Sequence, residues 1–139
     1  MKIFIDANIL ISVLNHEYPL FNYSSRILSL ADNPNYQIFT SPICLAIIFY
    51  FSEKKSGRKL AKKKLEILCQ KVQSTLVNQE IVRSAIMNPK VFDFKDGLEY
   101  YSALHSGCEV ILTEDKTDFY FSELPVLNSQ EFVRKYFGK

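Results

Sequence analysis

Two short apolar runs, Lys2-Ile3-Phe4-Ile5 and Glu109-Val110-Ile111-Leu112-Thr113, each deliver an aspartate where the run ends: Asp6 in Asp6-Ala7-Asn8, and Asp115 in Thr113-Glu114-Asp115. The first run, with Ile3, Phe4 and Ile5, does not alternate cleanly between apolar and polar residues, as expected of a strand covered on both faces in a parallel sheet. Between them, Asp93-Phe94-Lys95-Asp96 opens a helical stretch that closes at Gly107, immediately before the second run. Helix and strand must then run in opposite directions, which returns Asp96 to the edge that carries Asp115. The lengths agree: about 12 helical residues cover about 18 Å and five strand residues about 16 Å. Three carboxylates gathered on rigid elements repel by about 4 kcal/mol per pair at 4 Å, so such a cluster calls for a divalent cation.

The remaining chain alternates between the two periods. Helices are predicted from about Asn8 to Leu14, Phe21 to Ala31, Ile43 to Phe51, Gln79 to Met87 and Asp93 to Ser106, with a last one opened by Asn128 and Glu131 in a capping-box arrangement. Strands are predicted at Tyr36 to Thr40, Ser74 to Val77 and Pro125 to Leu127 besides the two apolar runs. Ser41-Pro42 is a helix start with proline in the first helical position. This order implies a three-layer α/β/α sandwich around a mainly parallel sheet. At 139 residues, 47% of them hydrophobic, the chain is expected to form one domain over residues 1–139. Ligands of such sheets bind beyond the carboxyl ends of the strands, where Asp6 and Asp115 fall. Each acid also has a structural reading: Asp6 and Asn8 as caps of the first helix, Asp93 and Asp96 as cap and third residue of theirs, Asp115 and Asp118 as turn formers.

Charge is distributed unevenly. Of 17 basic residues, seven fall in one segment: Lys54, Lys55, Arg58, Lys59, Lys62, Lys63 and Lys64. With Leu60, Ala61, Leu65 and Leu68 interleaved, the segment after Ser56-Gly57 reads as an amphipathic helix with a basic face. Such a face is either solvated or turned toward phosphates, and beside a carboxylate–metal site the phosphate-facing reading gains weight. Ile43 to Phe51 is apolar all round, which places it centrally or at an interface and, with the many aromatics, suggests a homodimer. Cys44, Cys69 and Cys108 are odd in number and widely spaced, arguing against disulfides or zinc and for buried thiols. No run approaches the roughly 18 apolar residues of a membrane span, and charge interrupts the N-terminus too early for a signal peptide, so a cytoplasmic protein is expected. His16 and His105 stand in no nucleophilic arrangement, and the four glycines form no phosphate-binding loop.

The order Asp6-Ala7-Asn8, then Asp93-Phe94-Lys95-Asp96-Gly97-Leu98-Glu99-Tyr100-Tyr101-Ser102-Ala103-Leu104, then Val110 through Phe119 resembles the PIN-domain family of metal-dependent ribonucleases, which includes VapC-type toxins of toxin–antitoxin pairs. The likeness spans nearly the whole chain. It implies that Asp6, Asp96 and Asp115 hold Mg²⁺ or Mn²⁺, with Asn8, Thr113 and Asp118 supporting them and RNA and a cognate antitoxin as partners. Many family members place a glutamate in the central helix, where this chain has Ile47. That departure favours a second reading, a PIN fold with weakened or lost hydrolysis that binds RNA or protein, and would leave Asp93 or Asp118 to supplement the site. A phosphoacceptor receiver domain would need an aspartate after its middle strand, where this chain has Leu76-Val77-Asn78.

Overall fold

A computed structural model describes residues 1–137, so Gly138 and Lys139 of the expected 1–139 domain lie outside the described residues. Five strands, β1 (Lys2–Ile5), β2 (Gln37–Thr40), β3 (Gln73–Ser74), β4 (Val110–Leu112) and β5 (Val126–Leu127), form one sheet in the order β3-β2-β1-β4-β5, and every pairing is parallel. Among the described residues seven α-helices complete the three-layer sandwich: α1 (Ala7–Leu14), α2 (Phe21–Leu28), α3 (Pro42–Ser56), α4 (Arg58–Leu68), α5 (Gln79–Met87), α6 (Phe94–His105) and α7 (Ser129–Tyr136). Ile3, Phe4 and Ile5 have no exposed surface, the burial expected for the middle strand of a covered parallel sheet.

Strand order locates the functional edge. The chain leaves β1 toward β2 and β3, then returns to add β4 on the other side, so the topological switch lies between β1 and β4, with Ile5 paired to Leu112 at its carboxyl end. Asp6 and Thr113 are the next residue of each strand. A crevice at that point is where open α/β sheets bind ligands.

Local signals hold at most element ends. The Ser41 hydroxyl accepts the Cys44 N–H at 3.0 Å, with Pro42 next to it, and Asn128 and Glu131 form the reciprocal capping box of α7. Gly97 is required by packing, since a Cβ there would lie 2.7 Å from Val91 Cγ1 and 3.1 Å from Ala85 Cβ. That close approach seats the first turn of α6 against α5.

Several expectations need correction. The central helix does not stop at Phe51: Glu53, Lys54 and Lys55 are good helix formers, and α3 continues to Gly57, whose φ of 84° ends it. Nor is it buried all round, because only the stripe Cys44, Ile48, Ser52 is buried, while Tyr50 and Phe51 are 51% and 48% exposed. Gly57 also divides the basic segment, leaving Lys54 and Lys55 on α3 and the rest on α4. The helix expected to Ala31 ends at Leu28 and tightens into a 3₁₀ turn over Ser29–Asp32. β3 is Gln73–Ser74 rather than Ser74 to Val77: Thr75 turns its hydroxyl to Ser102 at 2.9 Å, and Leu76 is exposed. Cys44 and Cys108 are buried thiols, but Cys69, at the end of α4, is exposed. Among the described residues no helix is long and apolar enough to cross a membrane.

Candidate metal centre

The edge is built from two sides. On the sheet side, Thr113 is the hub. Its hydroxyl donates to Asp6 Oδ2 at 2.8 Å and accepts from Asn8 Nδ2 at 3.2 Å and from the Asp115 N–H at 3.1 Å. One O–H and two lone pairs are thereby all used. Asn8 is equally committed, donating also to Asp115 Oδ2 at 3.2 Å and accepting the Glu114 N–H at 3.3 Å. Asp6 caps α1 through the Ala7 N–H at 2.7 Å, so its cap reading and its place at the edge hold together. The Cys44 thiol of α3 donates to the same Oδ1 at 3.7 Å.

On the helix side, the first turns of α6 carry Lys95, Asp96 and Glu99. Lys95 Nζ donates to Asp96 Oδ1 at 2.7 Å and to Glu99 Oε2 at 3.3 Å. Asp96 and Glu99 are buried, and Glu99 Oε1 finds no partner among the described residues. Asp93 is exposed and caps α6 through the Lys95 N–H at 2.9 Å. Across the edge, one donor atom each of Asp6, Cys44 and Glu99 lies within 4.8 Å of the others.

Burial and crowding push the carboxyls the same way. Burial first, then the Asp6 charge, raises Glu99 to about 9, with Lys95 pulling it down. Asp96 is raised by burial and by Asp93 and Asp118, against the pull of Lys95. Asp118, although exposed, is raised by partial burial and by Asp115, Asp6 and Asp93. Burial lowers Lys95, but the bond to Asp96 and the charges of Glu99, Asp96 and Asp6 outweigh it and hold the ammonium above the ordinary lysine range. Acids in excess of the one lysine among them and an unpartnered buried oxygen fit a hard divalent cation, and the one sulfur of the Asp6–Cys44–Glu99 cluster is held as a thiol by burial and by the charges of Glu99 and Asp6.

A family model described as PIN domain matches residues 2–117. The chain belongs to the PIN domain family. The match takes in Asp6, the whole of α6 and Asp115, so both sides of the edge belong to the PIN core. Ribonuclease VapC1 of Aquifex aeolicus is 23% identical over 138 residues, covering 97% of this chain and 95% of that protein. Among solved structures, VapBC-1 from nontypeable Haemophilus influenzae aligns with a TM-score of 0.72 at 18% identity, over 94% of this chain and 99% of that one. VapBC2 from Rickettsia felis, bound to a promoter DNA fragment, aligns with a TM-score of 0.70 at 19% identity, over 92% and 98%. VapC20 from Mycobacterium tuberculosis, described as a sarcin–ricin loop cleaving toxin, aligns with a TM-score of 0.64 at 17% identity, over 88% and 98%.

Of the residues singled out in the sequence, Asp6, Asn8, Thr113 and Asp115 form one hydrogen-bonded group, while Asp96 is bonded to Lys95, which also reaches Glu99. Among the described residues Asp6 alone of the three expected metal ligands belongs to the cluster of donor atoms within 4.8 Å, with Cys44 and Glu99. Glu99, Lys95 and Cys44 were missed. The available signal for Glu99 was its spacing, three residues after Asp96 and four after Lys95 and hence on the same helical face. The basic residues divide between two hollows. Lys54 and Lys55 line a cleft of about 600 Å³ with Asn8, Asn15 and Phe51, next to the acidic edge. Lys59, Lys62 and Lys63 line a larger groove of about 1210 Å³ whose apolar floor includes Leu45, Phe49 and Leu60. Arg58 pairs with Glu53 at 3.0 Å.

Proposed function

We propose that the chain is a single PIN domain acting in the cytoplasm as a divalent-metal-dependent endoribonuclease, the toxin of a type II toxin–antitoxin pair. The observation that carries the reading is the meeting of Asp6, Thr113, Asn8 and Asp115 with the Asp96-bearing turn of α6 at the β1/β4 switch point. Asp6, Asp96 and Asp115 would hold Mg²⁺ or Mn²⁺, with Asp118 and the capping Asp93 adding negative charge around them. Bound there, the cation supplies a lowered pKa for attacking water and charge neutralisation at the phosphodiester. Asn8 and Thr113 fix the carboxylates of Asp6 and Asp115, so that no reorganisation is needed when an ion or a phosphate arrives. Lys54 and Lys55, lining the cleft that reaches Asn8, are placed to meet the RNA backbone, with Phe51 offering a face for stacking.

The relatives support the biological setting, since the Aquifex aeolicus relative is named a ribonuclease and VapC20 is described as a sarcin–ricin loop cleaving toxin. An apolar groove rimmed by Lys59, Lys62 and Lys63 suits an antitoxin segment bearing apolar and acidic residues. The exposed Tyr50 and Phe51 are available to a second copy of the chain.

Incubation of a mixed RNA pool with the purified protein under Mg²⁺, Mn²⁺ or chelator is the direct test. Cleavage that needs the ion and drops at least about 100-fold in Asp6→Asn is expected, the scale of losing one charge-stabilising group. A second reading, a PIN module that binds without cutting, rests on Ile47, which packs its apolar side chain against the core at or next to the place where the family resemblance expects an acid. Retained RNA binding with no cleavage under any ion would select it.

A further inference from the structure

We propose that Glu99 is a ligand of the divalent cation, reaching from α6 into the site to supply the acid that the central helix α3 lacks at Ile47. The inference rests on the nuclease reading of the same edge. Glu99 is fully buried, and one of its carboxylate oxygens lies within 4.8 Å of donor atoms of Asp6 and Cys44. Its Oε2 receives Lys95 Nζ at 3.3 Å, while Oε1 is buried without any hydrogen-bond partner among the described residues. As a carboxylate without a cation, Glu99 would keep that oxygen buried and unpaired, which is disfavoured and rare; the metal-free alternative is a proton on Glu99 donated to Asp6.

The geometry of the helices explains the substitution. Asp96 and Glu99 are three residues apart on α6, so both face the sheet edge, and Asp6 approaches Glu99 from the end of β1. Ile47, by contrast, packs with the core. Cys44, also on α3, keeps its thiol as a donor to Asp6 Oδ1. Burial, Glu99 and Asp6 hold that thiol well above the usual cysteine range, so its neutral form orients Asp6 rather than competing as a thiolate. The acid that completes the site thus comes from one turn along the helix that already carries Asp96.

The rival account is structural: a protonated Glu99 sharing its proton with Asp6 and indifferent to metal. Glu99→Gln separates the two, since the amide keeps the shape and the neutral hydrogen-bonding character but is a poor ligand. Mn²⁺ titration of the full chain by electron paramagnetic resonance should show Kd weakened at least about ten-fold in Glu99→Gln, the scale produced even by losing a supporting partner of a metal site. Asp6→Asn serves as the control. If Asp6→Asn weakens Mn²⁺ binding and Glu99→Gln does not, the proposal is wrong while the nuclease site stands; if neither does, the nuclease site itself is wrong. A measurement free of variants covers a failure of Glu99→Gln to fold. In the ¹³C-labelled parent, Mg²⁺ should shift the carboxyl resonance of Glu99 together with that of Asp6, and a shift of Asp6 alone overturns the inference.

Discussion

On the β1–β4 side of the acidic edge every donor meets an acceptor, whereas on the α6 side one lysine serves two buried carboxylates and leaves an oxygen unmatched. Thr113 uses all its hydrogen-bonding capacity and Asn8 both its amide hydrogens, with each other, with backbone amides and with Asp6 and Asp115. Lys95, its side chain 41% exposed, reaches in to the buried Asp96 and Glu99. The difference teaches how the site divides its labour. Directional bonds from Thr113 and Asn8, one each to the carboxylates of Asp6 and Asp115, fix position on the strand side. Buried charges fix position poorly but respond to protons and cations, which is what a metal-binding edge requires.

The largest effect should come from breaking the satisfied side. Thr113→Val keeps the shape but removes three hydrogen bonds at once, leaving the buried Asp6 Oδ2 and the amide hydrogens of Asn8 and Asp115 without that partner. At about 1 kcal/mol for each bond, urea unfolding should show a loss of about 3 kcal/mol. A loss under about 0.5 kcal/mol would mean that water replaces the hub and that this side is no more rigid than the other.

Next comes the seat of α6. Gly97→Ala sets a methyl 2.7 Å from Val91 Cγ1 and 3.1 Å from Ala85 Cβ, and only a shift of α6 or a turn of Val91 relieves it. Overpacking of this kind costs about 1–3 kcal/mol, less the helix propensity of about 1 kcal/mol that alanine restores. Because the helix carries Asp96 and Glu99 together, divalent binding should weaken along with stability. Unchanged Mn²⁺ affinity in a destabilised Gly97→Ala protein would show that the edge tolerates displacement of α6.

The smallest effect per step is the response to pH, and it sharpens the contrast between the two sides. Glu99 titrates near 4.5 when unfolded and is raised to about 9 in the fold, so its neutral form is favoured by folding. Stability from such a group is complete below the unfolded value and is lost as pH rises toward the folded one. Between pH 6 and 7 in chelator the loss should be about 1.4 kcal/mol, and thermal melts of the parent and Glu99→Gln measure it. The variant should melt with a flatter dependence on pH. Mg²⁺ should oppose the trend, stabilising the parent more at pH 8 than at pH 6, since its ligands bind deprotonated. A parent whose melting point does not fall between pH 6 and 8 would show that Glu99 is already ionised in the fold.

Much of the architecture was legible in local chemistry. Ile3-Phe4-Ile5 reads as a doubly covered strand, Ser41-Pro42 as a helix start, and Asn128 with Glu131 as a capping box, because each pattern acts within a few residues. The antiparallel return of α6 onto β4 also follows from lengths alone, and it carries Asp96 back to the edge of Asp115. Other features depended on what lies across the fold. Tyr50 and Phe51 are as apolar as Ile48, and only the packing of α3 decides that one faces the core and the others do not. Glu99 reads in the sequence as one more helical acid. It becomes a site residue because β1 sits between β2 and β4, bringing Asp6 and Cys44, 93 and 55 positions earlier in the chain, to within 4.8 Å of it. Periodicity and caps are set by neighbours along the chain, but a carboxylate's burial, partner and charge state are set by strand order, and strand order is decided only when the whole core packs.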